Sequence, residues 1–195
     1  MVKMCENTIN NALDRSITAI ESLRSQKDAI AEAAALMTKS IESGGTIFFC
    51  GNGGSAADSQ HAAAELVGHL GLGIDRRPLP AIALTTDTSA ITAIANDFGF
   101  DSIFARQLAA LGKPGDVLVA ISTSGVSGNI IKAAQHANGA GIKVIALVGP
   151  DKTALSKTAD CAIHGRGSDT PCIQAAHAVV LHILCELVET NFIDR

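Results

Sequence analysis

The 195-residue sequence contains no tryptophan and no tyrosine, and aromatic residues make up only 3% of it. Because 47% of the residues are nevertheless hydrophobic, the core must be built mainly from Ala, Val, Ile and Leu. An aliphatic core of this kind is typical of helices packed on a parallel sheet. The length fits one domain, and we predict that this domain spans residues 1–195.

Basic charge, paired cysteines and long apolar runs are also scarce, and each scarcity excludes a class of protein. The net charge of -4 argues against a protein that binds nucleic acid by neutralising phosphates. We find no apolar run of membrane-spanning length and no signal-peptide core near the start. The five cysteines are odd in number and form no CxxC pair, which indicates reduced thiols and no zinc knuckle. We therefore expect a cytoplasmic protein that has neither a nucleic-acid nor a membrane partner.

Residues 3–43 are predicted to form two helices that are broken near Ser25. In the second helix, apolar residues recur at spacings of three and four, and a Gly-Gly pair ends it. This N-terminal pair, assigned to residues 1–43, has no strand of its own to cover. We therefore expect it to pack on other helices, including those of a second subunit, and to serve in oligomerisation.

From residue 44 to residue 195, short apolar stretches alternate with helical ones. The apolar stretches are flanked by turn residues, as buried parallel strands are. The alternation predicts a three-layer, doubly wound α/β core with a flavodoxin-like, five-stranded parallel sheet, whose ligand binds beyond the carboxyl ends of the strands. The predicted strands are 46–50, 81–85, 116–121, 142–148 and 160–164, and the predicted helices are 55–69, 88–95, 102–111, 128–139, 152–158 and 172–190.

Two predicted strands end in small polar loops that turn directly into helices. The first loop reads GNGGS at 51–55, and the second reads ISTSGVSGN at 121–129. Helix N-termini attract anions, although such residues are also ordinary in tight turns. Neither a Walker A sequence nor GxGxxG is present, which weakens a nucleotide interpretation. The second loop is the stronger phosphate candidate because it carries four hydroxyl side chains: Ser122, Thr123, Ser124 and Ser127.

His61 and Glu65 lie four residues apart on the helix that follows the first loop, so they share one helix face. Such a pair is often an ordinary surface contact. Here three alanines separate the two residues and keep the helix thin, and the pair lies within reach of a small phosphorylated substrate. This position makes the pair a candidate metal or catalytic site.

The last predicted helix offers Gln174, His177 and His182. Gln174 and His182 are separated by about 12 Å along a regular helix, which is long for two ligands of one ion. Either Gln174 lies in an irregular first turn, or the two side chains serve different parts of a site. His177 points in another direction, and we interpret it as a packed or interface histidine.

Four stretches together resemble the sugar isomerase (SIS) domain family over nearly the whole chain. They read CGNGGSAADSQHAAAEL at 50–66, LTTDTSAITAIANDFGF at 84–100, GDVLVAISTSGVSGN at 115–129 and IQAAHAVVLH at 173–182. The resemblance implies a phosphosugar substrate and a homotetramer with active sites at subunit interfaces, so that the His61–Glu65 pair and the last helix can come from different subunits. It implies one Zn²⁺ per subunit, held by His61, Glu65, Gln174 and His182. The implied substrate contacts are Asn52, Gly53, Gly54, Glu65, Asn96, Asp97, Ser122, Thr123, Ser124, Ser127 and Gln174.

Within this family, the motifs resemble those of isomerases that convert sedoheptulose 7-phosphate to D-glycero-D-manno-heptose 7-phosphate, the first step of heptose biosynthesis. The reaction moves a proton between C1 and C2 through an enediol, which needs a base at carbon and an acid at the adjacent oxygen. We assign Glu65 as the base and His182 as the acid. Zinc would either polarise the carbonyl or order the two groups. Because a carboxylate bound to zinc is a weaker base, Glu65 would have to leave the metal as substrate enters.

Three positions depart from the typical family pattern: His69 and Cys172 replace arginines, and Ala175 replaces a glutamate. Other proteins of this family are non-catalytic tetrameric scaffolds or phosphosugar-binding regulatory proteins. The scaffolds lack the acid/base residues, whereas Glu65 and His182 are both present here. No DNA-binding segment is recognisable in this sequence. The expected function is therefore the isomerase.

Overall fold

The computed structural model describes residues 2–71 and 75–193, so the two ends of the predicted domain, residues 1 and 195, lie outside the described part. Strands and helices alternate after two N-terminal helices. The helices are α1 (Val2–Ser22), α2 (Lys27–Glu42), α3 (Gly54–Val67), α4 (Thr88–Phe98), α5 (Ile103–Leu111), α6 (Gly128–Gly139), α7 (Ala154–Thr158) and α8 (Thr170–Glu189). The strands are β1 (Ile47–Gly51), β2 (Ala81–Ala83), β3 (Val117–Ser122), β4 (Lys143–Val148) and β5 (Cys161–His164).

The strands form one parallel sheet in the order β2-β1-β3-β4-β5, which confirms the predicted doubly wound α/β fold. The chain leaves β1 toward β2 on one side and later builds β3, β4 and β5 on the other. The order therefore switches between β1 and β3, and ligands of such sheets bind beyond this point. Gly51, the last residue of β1, is in register with Ile121 of β3, so the loops that follow both strands begin at the same edge.

Each face of the sheet is covered by helices. Phe49 and Val119 lie in a buried cluster with residues of α2, α3 and α8, whereas Phe48 and Leu118 lie in a second cluster with residues of α5 and α6. Every residue of β1 and β3 is buried. Burial on both faces explains why these strands are continuously apolar and do not alternate.

The expectation that the N-terminal helices cover no strand is wrong for α2. Ile30, Met37 and Ile41 are buried in the same cluster as Phe49 of β1. Helix α2 therefore forms part of the layer on one face of its own sheet. Its apolar residues recur every three or four positions because this whole stripe faces the sheet and α8.

Helix α1 lies farther out and packs on α8 through its C-terminal half. Ala19 is fully buried, whereas Ile9, Leu13 and Ile17 are each more than half exposed. These three residues are spaced by four, so they form an apolar stripe on one side of α1. Within the described chain, nothing covers this stripe.

Helix α8 is long and apolar enough to pass a length-and-composition test for a membrane span, so the expectation that no run reaches that length was wrong. Half of its most apolar window is buried in the fold. Helices α1, α2 and α3 all pack against it. Its apolar character is thus explained by its position as a core helix.

Helix α8 also starts two residues earlier than predicted. The carboxylate of Asp169 accepts a hydrogen bond from the backbone N–H of Cys172, and Pro171 occupies the first turn. Both are regular helix-start features. Gln174 consequently lies in regular helix, which excludes the irregular first turn that one alternative required. The described structure contains five free cysteines and no disulfide.

Candidate active site

The glycine loop, residues 51–55, connects β1 to α3, and its geometry suits glycine at positions 53 and 54. Gly53 has a φ of +57°, in the left-handed region that favours glycine. The side-chain amide of Gln174 lies against Gly54 and occupies the space that a Cβ atom at position 54 would take. Because only a hydrogen projects there, Gln174 can approach the backbone at the start of α3.

The serine loop, residues 122–127, connects β3 to α6, and its hydroxyl groups face one another. Oγ of Ser122 lies 3.2 Å from Oγ of Ser127 and 3.4 Å from Oγ of Ser124, and it accepts a hydrogen bond from the N–H of Gly125. Ser127 immediately precedes α6 but makes no capping bond with its side chain. The N-terminus of α6 is therefore open toward the loop, an arrangement that suits an anion.

A pair of amides ties the two loops together. Nδ2 of Asn52 donates to Oδ1 of Asn129 at 2.9 Å, and Nδ2 of Asn129 donates back to Oδ1 of Asn52 at 2.8 Å. Asn129 is buried in the first turn of α6. The reciprocal pair fixes the spacing between the glycine loop and the serine loop at the point where the strand order switches. Sequence analysis proposed Asn52 but missed Asn129, whose partner is 77 residues away.

Helices α3 and α8 meet along what we call the α3–α8 seam, formed by Asp58, His61 and Glu65 of α3 with Gln174 and His182 of α8. Nε2 of His61 lies 2.8 Å from Oε1 of Glu65 and 3.4 Å from Nε2 of His182. The two imidazole rings meet edge to face at 4.9 Å between centroids. The single chain thus brings His182 beside the His61–Glu65 pair, and this contact requires no second subunit.

The three polar groups at this end of the seam cannot all satisfy one another. Nε2 of His61 carries at most one proton, so it either donates to Glu65 or accepts from His182. Whichever occurs, one of the three groups is left without a partner within the cluster. A cation, or a polar substrate group, placed among His61, Glu65 and His182 would remove this conflict.

Gln174 lies at the other end of the seam. Its Nε2 donates to Oδ2 of Asp58 at 3.3 Å. Gln174 and His182 therefore contact different residues of α3, in agreement with the alternative that they serve different parts of the site. Asp58 was missed by sequence analysis, although its position one turn before His61 could have suggested it.

Burial raises the pKa of Asp58, and three neighbours only partly offset this effect. The largest of the opposing contributions is the hydrogen bond from Gln174, followed by the positive charge that His61 and His182 can carry. The Asp58 carboxylate therefore adds negative charge beside the two histidines, a position that suits a bound cation.

Asn96 and Asp97 lie on the exposed part of α4, where Nδ2 of Asn96 donates to Oδ1 of Asp97 at 2.7 Å. Within the described residues, neither side chain is hydrogen-bonded to the glycine loop or the serine loop. Thr123 and Ser124 belong to the serine loop, but Thr123 makes no side-chain hydrogen bond among the described residues. The structure thus brings together the loops and the seam, whereas the Asn96–Asp97 pair makes no hydrogen bond to either among the described residues.

His177 is completely buried, in agreement with its interpretation as a packed histidine. Its Nε2 lies 3.0 Å from the carbonyl oxygen of Val148, whereas its Nδ1 has no hydrogen-bond partner in the described structure. Burial lowers the pKa of His177, and the bond to Val148 opposes this only partly. The imidazole is therefore neutral and donates through Nε2.

The three positions that depart from the family pattern lie in different surroundings. His69 is exposed after the end of α3, Cys172 is buried in the first turn of α8, and Ala175 is half-buried. Oγ of Ser16 approaches Sγ of Cys172 at 3.9 Å. A buried thiol at position 172 therefore supplies no positive charge to the first turn of α8.

No group of three or more His, Cys, Asp or Glu side chains in residues 2–71 and 75–193 is arranged to hold a metal ion. The cluster of His61, Glu65 and His182 is consistent with this, because His61 and Glu65 form a hydrogen bond and do not diverge around a common point. The donor types nevertheless suit zinc, since imidazole nitrogens and carboxylate oxygens are its usual ligands. The 3.4 Å between the histidine nitrogens matches the roughly 3.4 Å expected for two nitrogens on one tetrahedral zinc.

Comparison with known proteins gives one consistent family. A curated phosphoheptose isomerase from Rhodospirillum rubrum is 53% identical over 161 residues, covering 83% of this chain and 85% of that protein. A phosphoheptose isomerase from Helicobacter pylori strain P12 is 46% identical over 175 residues, covering 90% of each. The solved structure of a phosphoheptose isomerase from Francisella tularensis matches with a TM-score of 0.90 at 39% identity, covering 95% of this chain and 98% of that one. The model of the SIS domain matches residues 11–149, and the chain belongs to the SIS domain family.

Proposed function

We propose that this protein is a phosphoheptose isomerase that converts sedoheptulose 7-phosphate to D-glycero-D-manno-heptose 7-phosphate, the first step of heptose biosynthesis. The observation that carries the proposal is the meeting of Glu65 and His182 on either side of His61. An aldose–ketose isomerase needs a base and an acid close to the same two carbons. The names of the relatives agree with this activity.

The phosphate of the substrate binds at the serine loop. The hydroxyl groups of Ser124 and Ser127 both lie within 3.4 Å of that of Ser122, beside the open N-terminus of α6. Hydroxyl donors and a helix N-terminus together favour a dianionic group. The glycine loop, held by the Asn52–Asn129 pair, lies between this anion site and the seam and contacts the sugar chain through Gly53 and Gly54.

Proton transfer takes place at the α3–α8 seam. Glu65, whose side chain is 20% exposed, removes the proton from the carbon next to the carbonyl. His182 delivers a proton to the adjacent oxygen, on the other face of the enediol. His61 lies between the two and fixes their separation, while Gln174 orients the substrate from the glycine-loop end of the seam.

The resident metal in this proposal is one Zn²⁺ per subunit. His61, Glu65 and His182 would hold it. The family resemblance also implies Gln174, which in this chain is bonded to Asp58 at the other end of the seam. When bound, zinc supplies positive charge that polarises the substrate carbonyl. Three observations support this assignment: the donor types, the spacing of the histidine nitrogens, and the fact that Nε2 of His61 cannot hydrogen-bond to Glu65 and His182 at once.

A test of the metal does not depend on activity. We expect the purified protein to contain close to one zinc per chain by elemental mass spectrometry, and His61→Ala to bind zinc more weakly in equilibrium dialysis. As a control, His136→Ala changes a histidine of α6 outside the seam and should retain the metal. Equal zinc affinity in wild type and His61→Ala would contradict the proposed ligand set.

The assembly we propose is a homotetramer located in the cytoplasm. The apolar stripe of Ile9, Leu13 and Ile17 on α1 supports association, because no described residue covers it. A groove of about 380 Å³ between α1, α2 and α8 adds further apolar surface nearby. Deleting residues 1–24 should give smaller, less stable species in light scattering. A fully active, monodisperse monomer would contradict the assembly.

The alternative of a non-catalytic tetrameric scaffold is less well supported, because a scaffold needs neither Glu65 nor His182. The two functions are separated by incubating the purified protein with sedoheptulose 7-phosphate and following aldose formation. We expect turnover by wild type and none above background by a Glu65→Gln, His182→Gln double variant. Absence of turnover in zinc-replete wild type would refute the proposed enzyme.

A further inference from the structure

Arg76 and Glu189 form a buried ion pair that sequence analysis did not single out. The side chain of Arg76 is 1% exposed and that of Glu189 is 3% exposed, with 2.7 Å between Nε and Oε1. Charged side chains are rarely buried to this extent unless they are paired and hydrogen-bonded. By contrast, the Lys143–Asp160 ion pair on the surface has a lysine side chain that is 57% exposed.

The same guanidinium also binds the end of α3. Nη2 of Arg76 donates to the backbone carbonyl of Glu65 at 2.8 Å, and Nη1 donates to the carbonyl of Leu66 at 3.0 Å. The last carbonyls of a helix have no partner within it, and a positive charge there is also favourable for the helix dipole. Arg76 therefore holds the backbone of Glu65 itself.

Glu189 is the last residue of α8, and its buried carboxylate is stabilised by the positive charge of Arg76. A carboxylate at a helix C-terminus faces the negative end of the dipole, and burial adds a desolvation cost. Oε1 of Glu189 accepts from Nε of Arg76 and from the N–H of Leu70, which follows α3. The pair thus joins the C-terminal end of α3 to the C-terminal end of α8.

The contacts between α3 and α8 follow the same order along both helices. Gln174 meets Asp58, His182 meets His61, and Arg76 links the backbone of Glu65 to Glu189. The helices therefore run parallel. Arg76 connects the C-terminal ends of the two helices, and we call this connection the clamp. It fixes the position of one helix along its axis relative to the other.

We propose that Arg76 is a positioning residue that keeps Glu65 and His182 aligned by clamping the C-terminal ends of α3 and α8. This inference rests on the proposed isomerase function, since it assigns a role to Arg76 in that reaction. Arg76 does not touch the substrate: it acts through the backbone of Glu65 and through Glu189.

The proposal predicts a loss in kcat without a loss in substrate binding. The Asn52–Asn129 pair holds the serine loop beside the N-terminal end of α3, and that end lies about 18 Å along α3 from the clamp. Small displacements of a catalytic group lower the rate of the chemical step strongly. A purely structural role would instead lower stability and leave the kcat of the folded protein unchanged.

Arg76→Lys retains the positive charge but changes the hydrogen-bond geometry. A lysine ammonium group cannot reproduce the planar guanidinium group, which bonds Glu189 and two backbone carbonyls at once. We expect kcat to fall roughly tenfold to a hundredfold, with KM within about twofold of wild type. Arg77→Met is the matched control. The neighbouring Arg77 lies over the ring of Phe192 at 5.1 Å, and among the described residues its side chain makes no hydrogen bond to α3 or to Glu189, so its loss should leave kcat unchanged.

A double variant, Arg76→Met with Glu189→Met, separates positioning from stability. Replacing both members of a buried ion pair by apolar residues often preserves stability, whereas removing one leaves a buried charge. We expect the double variant to recover the unfolding midpoint lost in Arg76→Met but to keep the low kcat, since the carbonyl of Glu65 still lacks its donor.

A stable double variant with wild-type kcat would overturn the inference and leave the isomerase function intact. Inactivity of wild type itself would overturn the proposed function instead.

Discussion

The serine loop and the α3–α8 seam are the two halves of the candidate site, and they are held together in different ways. In the serine loop, the side chain of Ser122 contacts Ser124, Gly125 and Ser127, so these partners lie within five residues, and the carbonyl of Gly125 also accepts from the N–H of Leu155. In the seam, His61 meets His182 across 121 residues, and Asp58 meets Gln174 across 116. The loop is local structure, whereas the seam depends on how two distant helices pack.

This difference separates the two tasks of the proposed enzyme. A locally determined loop can bind an anion even when the packing elsewhere is perturbed. The seam works only when α3 and α8 keep their alignment, because its charged groups come from both helices. Substitutions in the loop should therefore change KM, and substitutions in the seam should change kcat.

The largest effect is expected from Glu65→Gln, which keeps the shape of the side chain but removes the base. kcat should fall by about 10²–10⁴-fold, the usual range for lost acid–base catalysis, while KM stays close to wild type because the serine loop is intact. The measurement is solvent-deuterium incorporation at C2 of the aldose, D-glycero-D-manno-heptose 7-phosphate. Glu186→Gln, on an exposed position of α8, is the control and should exchange normally. Wild-type exchange in Glu65→Gln would show that another group is the base.

A loss of similar size is expected from His182→Gln, since the acid is removed from the other side of His61. Combined with Glu65→Gln, the losses should be far from additive, because the two groups act in one step. A double-mutant cycle on kcat/KM checks this. If the two losses simply multiplied, Glu65 and His182 would be acting independently and the assignment of one proton-transfer pair would be wrong.

A smaller effect, and one confined to binding, is expected in the serine loop. Thr123→Val with Ser124→Ala removes two hydroxyl donors, each of which contributes about 1–3 kcal/mol when it binds a charged group. KM for the phosphosugar should rise while kcat changes little. Ser25→Ala, which removes an exposed hydroxyl that donates to the backbone carbonyl of Ser22, should change neither constant. An unchanged KM in the double variant would remove this loop from the phosphate site.

The smallest effect is a pH dependence of stability carried by His177. Burial lowers the pKa of His177 below its ordinary 6.5, so the unfolded chain binds the proton more readily than the folded chain. Its contribution to stability is therefore complete above pH 6.5 and is lost as the pH falls from 6.5 toward the lower folded-state pKa, by no more than about 1.4 kcal/mol per pH unit.

Denaturant unfolding at pH 7 and pH 5 measures this effect. His177→Leu removes the titrating group with little change in volume, so its loss of stability between the two pH values should be smaller than that of wild type. His69→Leu, at an exposed position, is the control. An equal loss in His177→Leu and wild type would show that His177 does not contribute to acid sensitivity.

Much of the fold could be predicted because it depends on local patterns. The apolar stretches at 46–50 and 116–121 correspond to β1 and β3 within one residue at each end. The predictions were wrong where a tertiary contact determines which surface covers a helix. The stripe on α2 was correctly identified as apolar, but the pattern of a helix does not specify what covers it, and in the structure the sheet does.

The candidate site was predictable to the extent that its residues are neighbours in sequence. His61 and Glu65 share a helix face, and the serine loop is continuous. Asp58, Asn129 and Arg76 were missed, since each has its defining partner 77 to 116 residues away. The assignments of Asn96, Asp97 and the zinc ligands came from the family resemblance and stay predictions.

The sequence by itself determined the strand–helix order, the glycine and serine loops and the identity of the charged residues, because turn chemistry and hydrophobic periodicity act over a few residues. Only the tertiary structure decided that α8 lies parallel to α3, that His182 reaches His61 within one chain, and that Arg76 joins Glu65 to Glu189. These contacts depend on the relative height and rotation of two packed helices. Apolar packing is non-directional, so the spacing of hydrophobic residues predicts that a face is buried but does not specify its partner or its register.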